Sequence, residues 1–197
     1  MDTTLPLAFL AAAIPTFFTP GPNNLMLMAS SAKFGVQRTV PHMLGIAIGF
    51  PLMVFCVGLG LGEVFTALPW LKLALKWAAA GYFVWMASTL LGLKIGEIGA
   101  EEKPLSFLQA AGFQWVNPKA WAMAVSFVAL VVQPGEGRIT QLALLALACV
   151  AIGPISASLC MFGGRALQAL LRTTRTERFL GIILACLMLA AVVLFLL

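Results

Sequence analysis

The sequence predicts an all-α integral membrane protein with six transmembrane helices. Hydrophobic residues make up 61% of the 197 positions and charged residues only 10%, whereas globular proteins average about 45–50% and about 25%. The apolar residues form six continuous runs, without the alternation expected of membrane β-barrel strands. Because a chain of this length cannot bury so much apolar surface in a water-soluble core, lipid is the expected solvent.

Each apolar run is long enough for a helix that crosses the hydrocarbon core, which takes about 20 residues. The N-terminal run has an acid at Asp2 and no Lys or Arg before Lys33. It therefore lacks the basic start of a secretory signal peptide and is expected to form the first span. The predicted spans, in chain order, are Leu5–Ser31, Met43–Leu61, Leu71–Leu93, Phe107–Val132, Ile139–Phe162 and Phe179–Leu197.

The distribution of Lys and Arg predicts that both termini lie on the non-cytosolic side. Basic residues concentrate in the cytosolic loops of membrane proteins, and the first, third and fifth loops hold eight of them, against three assigned to the other side. The net charge of +5 is thus explained by orientation in a bilayer, and no nucleic-acid partner is expected. The eight are Lys33, Arg38, Lys94, Lys103, Arg165, Arg172, Arg175 and Arg178, and the three are Lys72, Lys76 and Arg138.

Six spans divide into two halves of three, residues 1–97 and 105–197, within a single transmembrane transporter domain. Because three is odd, the second half must enter the membrane in the opposite direction, which gives the inverted repeat of many transporters. Two pairs of motifs support this division: PGPNN in the first span with Asn117-Pro118 in the fourth, and GIAIGFP (45–51) in the second with VAIGP (150–154) in the fifth. Chance similarity between glycine-rich helices is the alternative.

Pro20, Gly21, Pro22, Asn23 and Asn24 interrupt the first span. The prolines remove backbone donors and leave carbonyl groups of the preceding turn without partners, which a membrane tolerates only where protein or water supplies new ones. One interpretation is a kinked helix packed against its neighbours, with Asn23 or Asn24 as the N-cap of the restarted helix. A second, compatible interpretation is that the free amides and the positive helix end bind a substrate carboxylate.

Asn117, Pro118 and Lys119 interrupt the fourth span, in the run FQWVNPKAW (113–121). Asn117 is pushed away from helical geometry by the proline that follows it. Lys119 lies about 18 Å along a helix that starts near Phe107, close to the middle of a core about 30 Å thick, where a lysine costs roughly 2.5–3.5 kcal/mol. Either Lys119 faces a functional cavity, or the span is displaced by one or two turns and Lys119 is interfacial.

No Asp or Glu lies inside a predicted span, so Lys119 has no anionic protein partner at its depth. A cavity with one uncompensated cation favours a ligand that carries a carboxylate and disfavours metal cations. Proton coupling would lack its usual intramembrane carboxylate, and Lys119 is the candidate substitute. The single His42 and four scattered cysteines form neither a metal site nor a reactive set, so no cofactor and no enzymatic activity are expected.

Small residues in the second and fifth spans predict close helix packing. Gly45 and Gly49 form a small-xxx-small pair, and Gly153 is the counterpart of Gly49 in the fifth span. Packing within one chain is favoured, and a homodimer seam is the alternative.

Four motifs together resemble the LysE/RhtB family of bacterial amino-acid exporters: PGPNN (20–24), GYFVW (81–85), KPLSF (103–107) and FQWVNPKAW (113–121). The resemblance covers the whole chain and implies efflux of amino acids and their derivatives across the bacterial cytoplasmic (inner) membrane. Within the family, the chain looks most like the branch that exports cysteine and O-acetylserine. The predicted substrate-binding and translocation residues are Thr19, Pro20, Gly21, Pro22, Asn23, Asn24, Gln114, Asn117, Pro118 and Lys119.

One position departs from the family pattern. Many members carry an Asp after the second glycine of the GxxxG in the second span, whereas Phe50 follows Gly49 here. This departure disfavours a cationic substrate and disfavours coupling through that carboxylate, in agreement with the absence of acids from the predicted spans.

We therefore expect a secondary exporter of small neutral amino acids that alternates access between its two halves. The substrate carboxylate would meet the helix end near Asn23 and Asn24, with Lys119 as its electrostatic partner. The alternatives are a transporter or channel for another solute, such as an inorganic ion or a lipophilic metabolite, and a membrane assembly subunit that transports nothing.

Overall fold

The computed structural model describes residues 4–19, 21–61, 102–133 and 135–170, together with separate positions between 67 and 91 and between 179 and 193. Every regular element in these ranges is helical, which confirms the predicted all-α class. A π-helical turn, Val57–Leu61, follows the third helix, and Gly60 within it is non-helical, with a φ of 119°. The helices that are described from end to end are α1 (Thr4–Phe18), α2 (Pro22–Phe34), α3 (Val36–Cys56), α4 (Phe107–Phe113), α5 (Pro118–Val131) and α6 (Arg138–Leu170).

Two of the predicted spans correspond to long helices. The second span is α3 with its π-helical turn, and the fifth span is α6. The stretches Val36–Gly60 and Arg138–Ala166 are long and apolar enough to cross a membrane, judged by length and composition. Most of the predicted third and sixth spans lies outside the described residues, although the described positions between 70 and 91 and between 179 and 193 are helical.

The predicted first and fourth spans are each divided into two helices. The first span is α1 followed by α2, and the fourth is α4 followed by α5. In both cases the second helix begins at a proline, Pro22 or Pro118. Proline is accepted at the first helical position because the amide it lacks would have had no partner there. The preceding residues, Gly21 and Asn117, are extended, as the proline ring requires.

Helix α3 begins earlier than predicted, at Val36 and not at Met43. Gly35 alone joins α2 to α3, and its φ of 82° is a conformation that glycine adopts without strain. The amide of Gly35 donates to the Ser31 carbonyl at 3.0 Å and so closes α2. The Thr39 hydroxyl then donates to the Gly35 carbonyl at 2.8 Å in the first turn of α3.

The packed core lies between α1, α3, α5 and α6. Phe9 and Phe127 meet edge to face with ring centroids 5.2 Å apart, and Phe17 and Phe50 do so at 5.5 Å.

Helix α3 also packs closely on α4, since a Cβ atom at Gly49 would lie 2.6 Å from the Cα of Ala111. At Gly45 an added Cβ would overlap the Phe107 carbonyl oxygen. The two glycines thus face α4 of the same chain.

Candidate functional site

The two helix breaks lie against each other. The Asn23 amide at the start of α2 donates to Gln114 Oε1 at 2.8 Å, and Gln114 Nε2 donates back to Asn23 Oδ1 at 3.3 Å. Gln114 also donates to the Ala110 carbonyl at 2.9 Å and is fully buried. Because the two side-chain amides satisfy each other, the pair can hold the first break against the fourth-span break in an apolar medium.

Lys119 reaches across to the end of α1. Its Nζ donates to the main-chain carbonyl of Thr19 at 2.6 Å. The stem of Lys119 passes over Gly21, where an added Cβ would lie 2.8 Å from Lys119 Cδ and 3.1 Å from Nζ. A cation at the C-terminal end of α1 is favoured by the helix dipole. The half-buried lysine thus has an uncharged partner within the protein.

Asn117 fixes the start of the helix that carries Lys119. Its Oδ1 accepts a hydrogen bond from the Lys119 amide at 3.1 Å, which makes Asn117 the N-cap of α5. Asparagine is among the preferred N-cap residues because its side chain satisfies an amide that the helix leaves free. The Asn-Pro-Lys sequence therefore sets both the break and the position of Lys119.

Side chains from three helices satisfy the carbonyl groups freed at the end of α1. The Phe17 carbonyl accepts from Ser156 Oγ at 2.7 Å and from Asn24 Nδ2 at 3.2 Å. The Thr19 carbonyl accepts from Lys119 and, at 3.3 Å, from Asn24. In an unbroken helix these carbonyls would bond to amides one turn later. Donors from α2, α5 and α6 now take the place of those amides.

A cavity of about 50 Å³ lies beside these breaks. Aromatic and aliphatic side chains, among them Phe17, Phe50 and Met123, form much of its lining. Among the described residues, Lys119 is the only charged side chain that lines the cavity, and no Asp or Glu does. The polar lining residues are Thr16, Asn23, Asn24, Asn117, Lys119 and Ser156.

The structure places the predicted site residues in three groups. Thr19 and Gln114 hydrogen-bond to the lining residues Lys119 and Asn23. Pro22 and Pro118 begin helices. Pro20 lies outside the described residues. The remaining predicted site residues line the cavity: Gly21, Asn23, Asn24, Asn117 and Lys119. Gly153, which was predicted to pack helices, lines it as well.

Ser156 was not predicted. It is buried in α6, lines the cavity and donates to the Phe17 carbonyl. The only signal for it in the sequence is a hydroxyl two residues after Pro154 in an apolar run. Because a serine in a helix usually bonds to a carbonyl of its own helix, that signal does not distinguish a site residue from an ordinary one.

Comparison with known proteins agrees with the motifs. The family model described as LysE type translocator matches residues 14–197. Curated relatives include the cysteine/O-acetylserine efflux proteins of Escherichia coli (strain K12) and Shigella sonnei (strain Ss046). Each is 29% identical over 189 residues, which cover 95% of this chain and 95% of the relative. No solved structure matches the chain. Because the family model covers nearly the whole sequence, the chain belongs to the LysE type translocator family, as its motifs predicted.

Proposed function

We propose that this protein exports small neutral amino acids or their derivatives, of the cysteine or O-acetylserine type, across the bacterial cytoplasmic membrane by alternating access. The observation that carries the proposal is Lys119, the one charged side chain among the described residues that line the cavity. The names of the relatives, cysteine/O-acetylserine efflux proteins, support the substrate class.

The charge of the cavity favours a carboxylate. A single cation in a low-dielectric site attracts an anionic group and repels a second cation. A zwitterionic amino acid brings a carboxylate for Lys119 and carries no further net charge. A basic amino acid would add a cation to a lining that offers no described acid, so it is a poor substrate.

The start of α2 supplies a second feature that suits a carboxylate. Gly21 is the N-cap and makes no side-chain cap, and Pro22 has no amide hydrogen. The amides of Asn23 and Asn24 therefore belong to the uncapped, positive end of the helix, and both residues line the cavity. A carboxylate at this position would also be close to Lys119, whose stem crosses Gly21.

The size of the cavity favours a small substrate. Drug-sized ligands occupy pockets of about 300–1,000 Å³, whereas this cavity of about 50 Å³ has room for a few water molecules. Phe50 and Met123 limit the space beside the polar lining, and their apolar surfaces suit a short uncharged side chain.

The proposed architecture has six spans in two inverted halves, residues 1–97 and 105–197, with both termini outside. Two contacts support it by joining segments at the same predicted side of the membrane. Lys33 pairs with Glu102 at 2.6 Å, which joins the first and third loops. Arg138, the first residue of α6, donates to the Gly58 carbonyl in the turn that follows α3 at 2.7 Å. Gly45 and Gly49 support packing within the chain over a homodimer seam, because both face α4.

Reconstitution of the full-length chain tests the proposal. Proteoliposomes loaded with labelled cysteine, O-acetylserine, lysine, glutamate or a metal ion are assayed for efflux with and without a proton gradient. We expect saturable efflux of the two neutral amino acids and of neither charged one. Faster efflux in the presence of the proton gradient would show that transport is coupled to protons. The proposal is wrong if the wild-type protein moves no amino acid, and selective flux of the metal ion would favour the alternative solute.

A pair of lysine variants tests the role of Lys119. Lys119→Met should abolish efflux while the protein stays in the membrane, because the cavity loses its cation. Lys103→Met is the matched control, since Lys103 is exposed and lies outside the cavity lining. Undiminished efflux by a well-expressed Lys119→Met protein would exclude the proposed role.

A further inference from the structure

The end of α1 already binds a primary ammonium group. The Lys119 ammonium lies 2.6 Å from the Thr19 carbonyl, a short distance of the kind found when a hydrogen bond is assisted by charge. Main-chain carbonyls at a helix C-terminus carry partial negative charge and have no amide of their own to accept from. The Thr19 carbonyl is therefore an acceptor that suits an ammonium group.

A substrate α-ammonium has the same chemistry as the group that now occupies this position. Both are primary ammonium ions with three N–H donors. If a substrate ammonium replaces the Lys119 ammonium at the Thr19 carbonyl, the number of charge-assisted hydrogen bonds at that carbonyl is conserved. Lys119 is then free to pair with the carboxylate of the same substrate.

We propose that the Thr19 carbonyl at the end of α1 is the site for the substrate ammonium, and that Lys119 occupies this site until a substrate carboxylate draws it away. The inference rests on the proposed function and specifies how the zwitterion lies in the cavity. The carboxylate meets Lys119 and the start of α2, and the ammonium meets the end of α1. The interrupted first span thus supplies its positive helix end to one charge of the substrate and its negative helix end to the other.

The exchange also changes what holds α1. Without substrate, the Thr19 carbonyl is tied to α5 through Lys119. With substrate, that carbonyl is tied to the bound ammonium, and only the Asn24 and Ser156 contacts remain between the freed carbonyls and the protein. Binding would therefore loosen α1 from α5, a contact between the two proposed halves, and the loosening would require both charged groups of the substrate.

Three ligands that share one thiol side chain test the exchange: cysteine, 3-mercaptopropionate, which lacks the ammonium, and cysteamine, which lacks the carboxylate. Their binding to the purified full-length protein is measured under reducing conditions from the concentration dependence of the unfolding temperature. The loss of one hydrogen bond to a charged group lowers affinity by roughly tenfold or more. We expect each analogue to bind wild-type protein at least about tenfold more weakly than cysteine.

Lys119→Met separates the exchange from a merely structural role. Removing Lys119 deletes the partner of the carboxylate and also the occupant of the ammonium site. Affinity for 3-mercaptopropionate should therefore fall, while affinity for cysteamine should rise above its wild-type value. A lysine that only stabilises the fold would weaken all three ligands alike. Lys103→Met, with its exposed side chain, should leave all three affinities unchanged.

Each outcome decides the inference. Equal binding of cysteine and 3-mercaptopropionate to wild-type protein overturns it, and this comparison stands even if Lys119→Met does not fold. Uniform weakening in Lys119→Met also overturns it. In either case, amino-acid efflux in proteoliposomes would leave the proposed function standing. Absence of both cysteine binding and amino-acid efflux would instead remove the proposed function itself.

Discussion

Asn23 and Gln114, 91 residues apart in the chain, exchange hydrogen bonds through their side-chain amides. This contact joins the start of α2 to the residue that follows α4, so that the two helix breaks form one structure. Both breaks leave backbone groups that lipid cannot satisfy. The breaks therefore stabilise each other. The effect of a substitution at one break on the free energy of unfolding should depend on the residue present at the other break.

The Asn23–Gln114 pair should show energetic coupling. Asn23→Leu removes one partner of the buried Gln114 amide. It should lower the free energy of unfolding by about 1–3 kcal/mol. In the double variant with Gln114→Leu, part of this loss should be recovered, giving a coupling of about 1 kcal/mol. The measurement is a double-mutant cycle of unfolding in detergent. Strictly additive effects would contradict a direct pair.

Gly21→Ala should reduce transport more than it reduces stability. The added Cβ would lie 2.8 Å from Lys119 Cδ, and because that side chain is flexible, it can move away without unfolding the protein. The movement takes Nζ from the Thr19 carbonyl and should lower efflux by roughly tenfold, the equivalent of about 1.4 kcal/mol. Gly163→Ala is the control, since nothing lies within 4 Å of its added Cβ. Equal efflux from the two variants would show that the position of Lys119 does not matter.

Gly49→Ala should destabilise the protein through backbone separation. A Cβ at Gly49 would lie 2.6 Å from the Cα of Ala111, which is main chain and cannot rotate away. Helices α3 and α4 must move apart, at a cost of about 1–3 kcal/mol. Gly112→Ala on α4 meets nothing within 4 Å and serves as the comparison. The check is the unfolding temperature of each purified variant, and no difference between the two would refute the close α3–α4 contact.

Phe50 should limit the size of the exported side chain. It lines the cavity and packs edge to face against Phe17 with centroids 5.5 Å apart. Phe50→Leu should enlarge the cavity and raise leucine efflux relative to cysteine efflux by about tenfold, as expected for a changed apolar pocket. Phe18→Leu is the control because Phe18 is 41% exposed and does not line the cavity. If the ratio of leucine efflux to cysteine efflux does not change, Phe50 does not limit the size of the exported side chain.

Labelling of introduced cysteines should report the sidedness of the loops. In a background without the four native cysteines, Lys33→Cys and Glu102→Cys should react with an impermeant thiol reagent from the cytosolic side. Arg138→Cys should react from the opposite side, because it lies at the other end of α3. Labelling of Lys33→Cys and Arg138→Cys from the same side would invalidate the predicted topology.

Local chemistry made much of the fold predictable. Pro22 and Pro118 lack an amide and restrict the residue before them, so the positions of both breaks follow from the sequence. The start of α3 was predicted too late because Gln37, Arg38 and Thr39 are polar and resemble a loop by hydropathy. The turn at Gly35 and the hydrogen bond from Thr39 extend the helix through them.

The sequence by itself determined an apolar all-α chain of the LysE type translocator family, two proline-induced breaks and a lysine without an acidic partner in the predicted spans. Only the tertiary structure decided what Lys119 binds and which side chains meet the end of α1. Lys119 bonds to a carbonyl 100 residues away, and Ser156 bonds to one 139 residues away. Every residue has a main-chain carbonyl, so the sequence does not mark these two. The Phe17 and Thr19 carbonyls become partners because the helix break leaves them free and the packing of α5 and α6 brings donors to them.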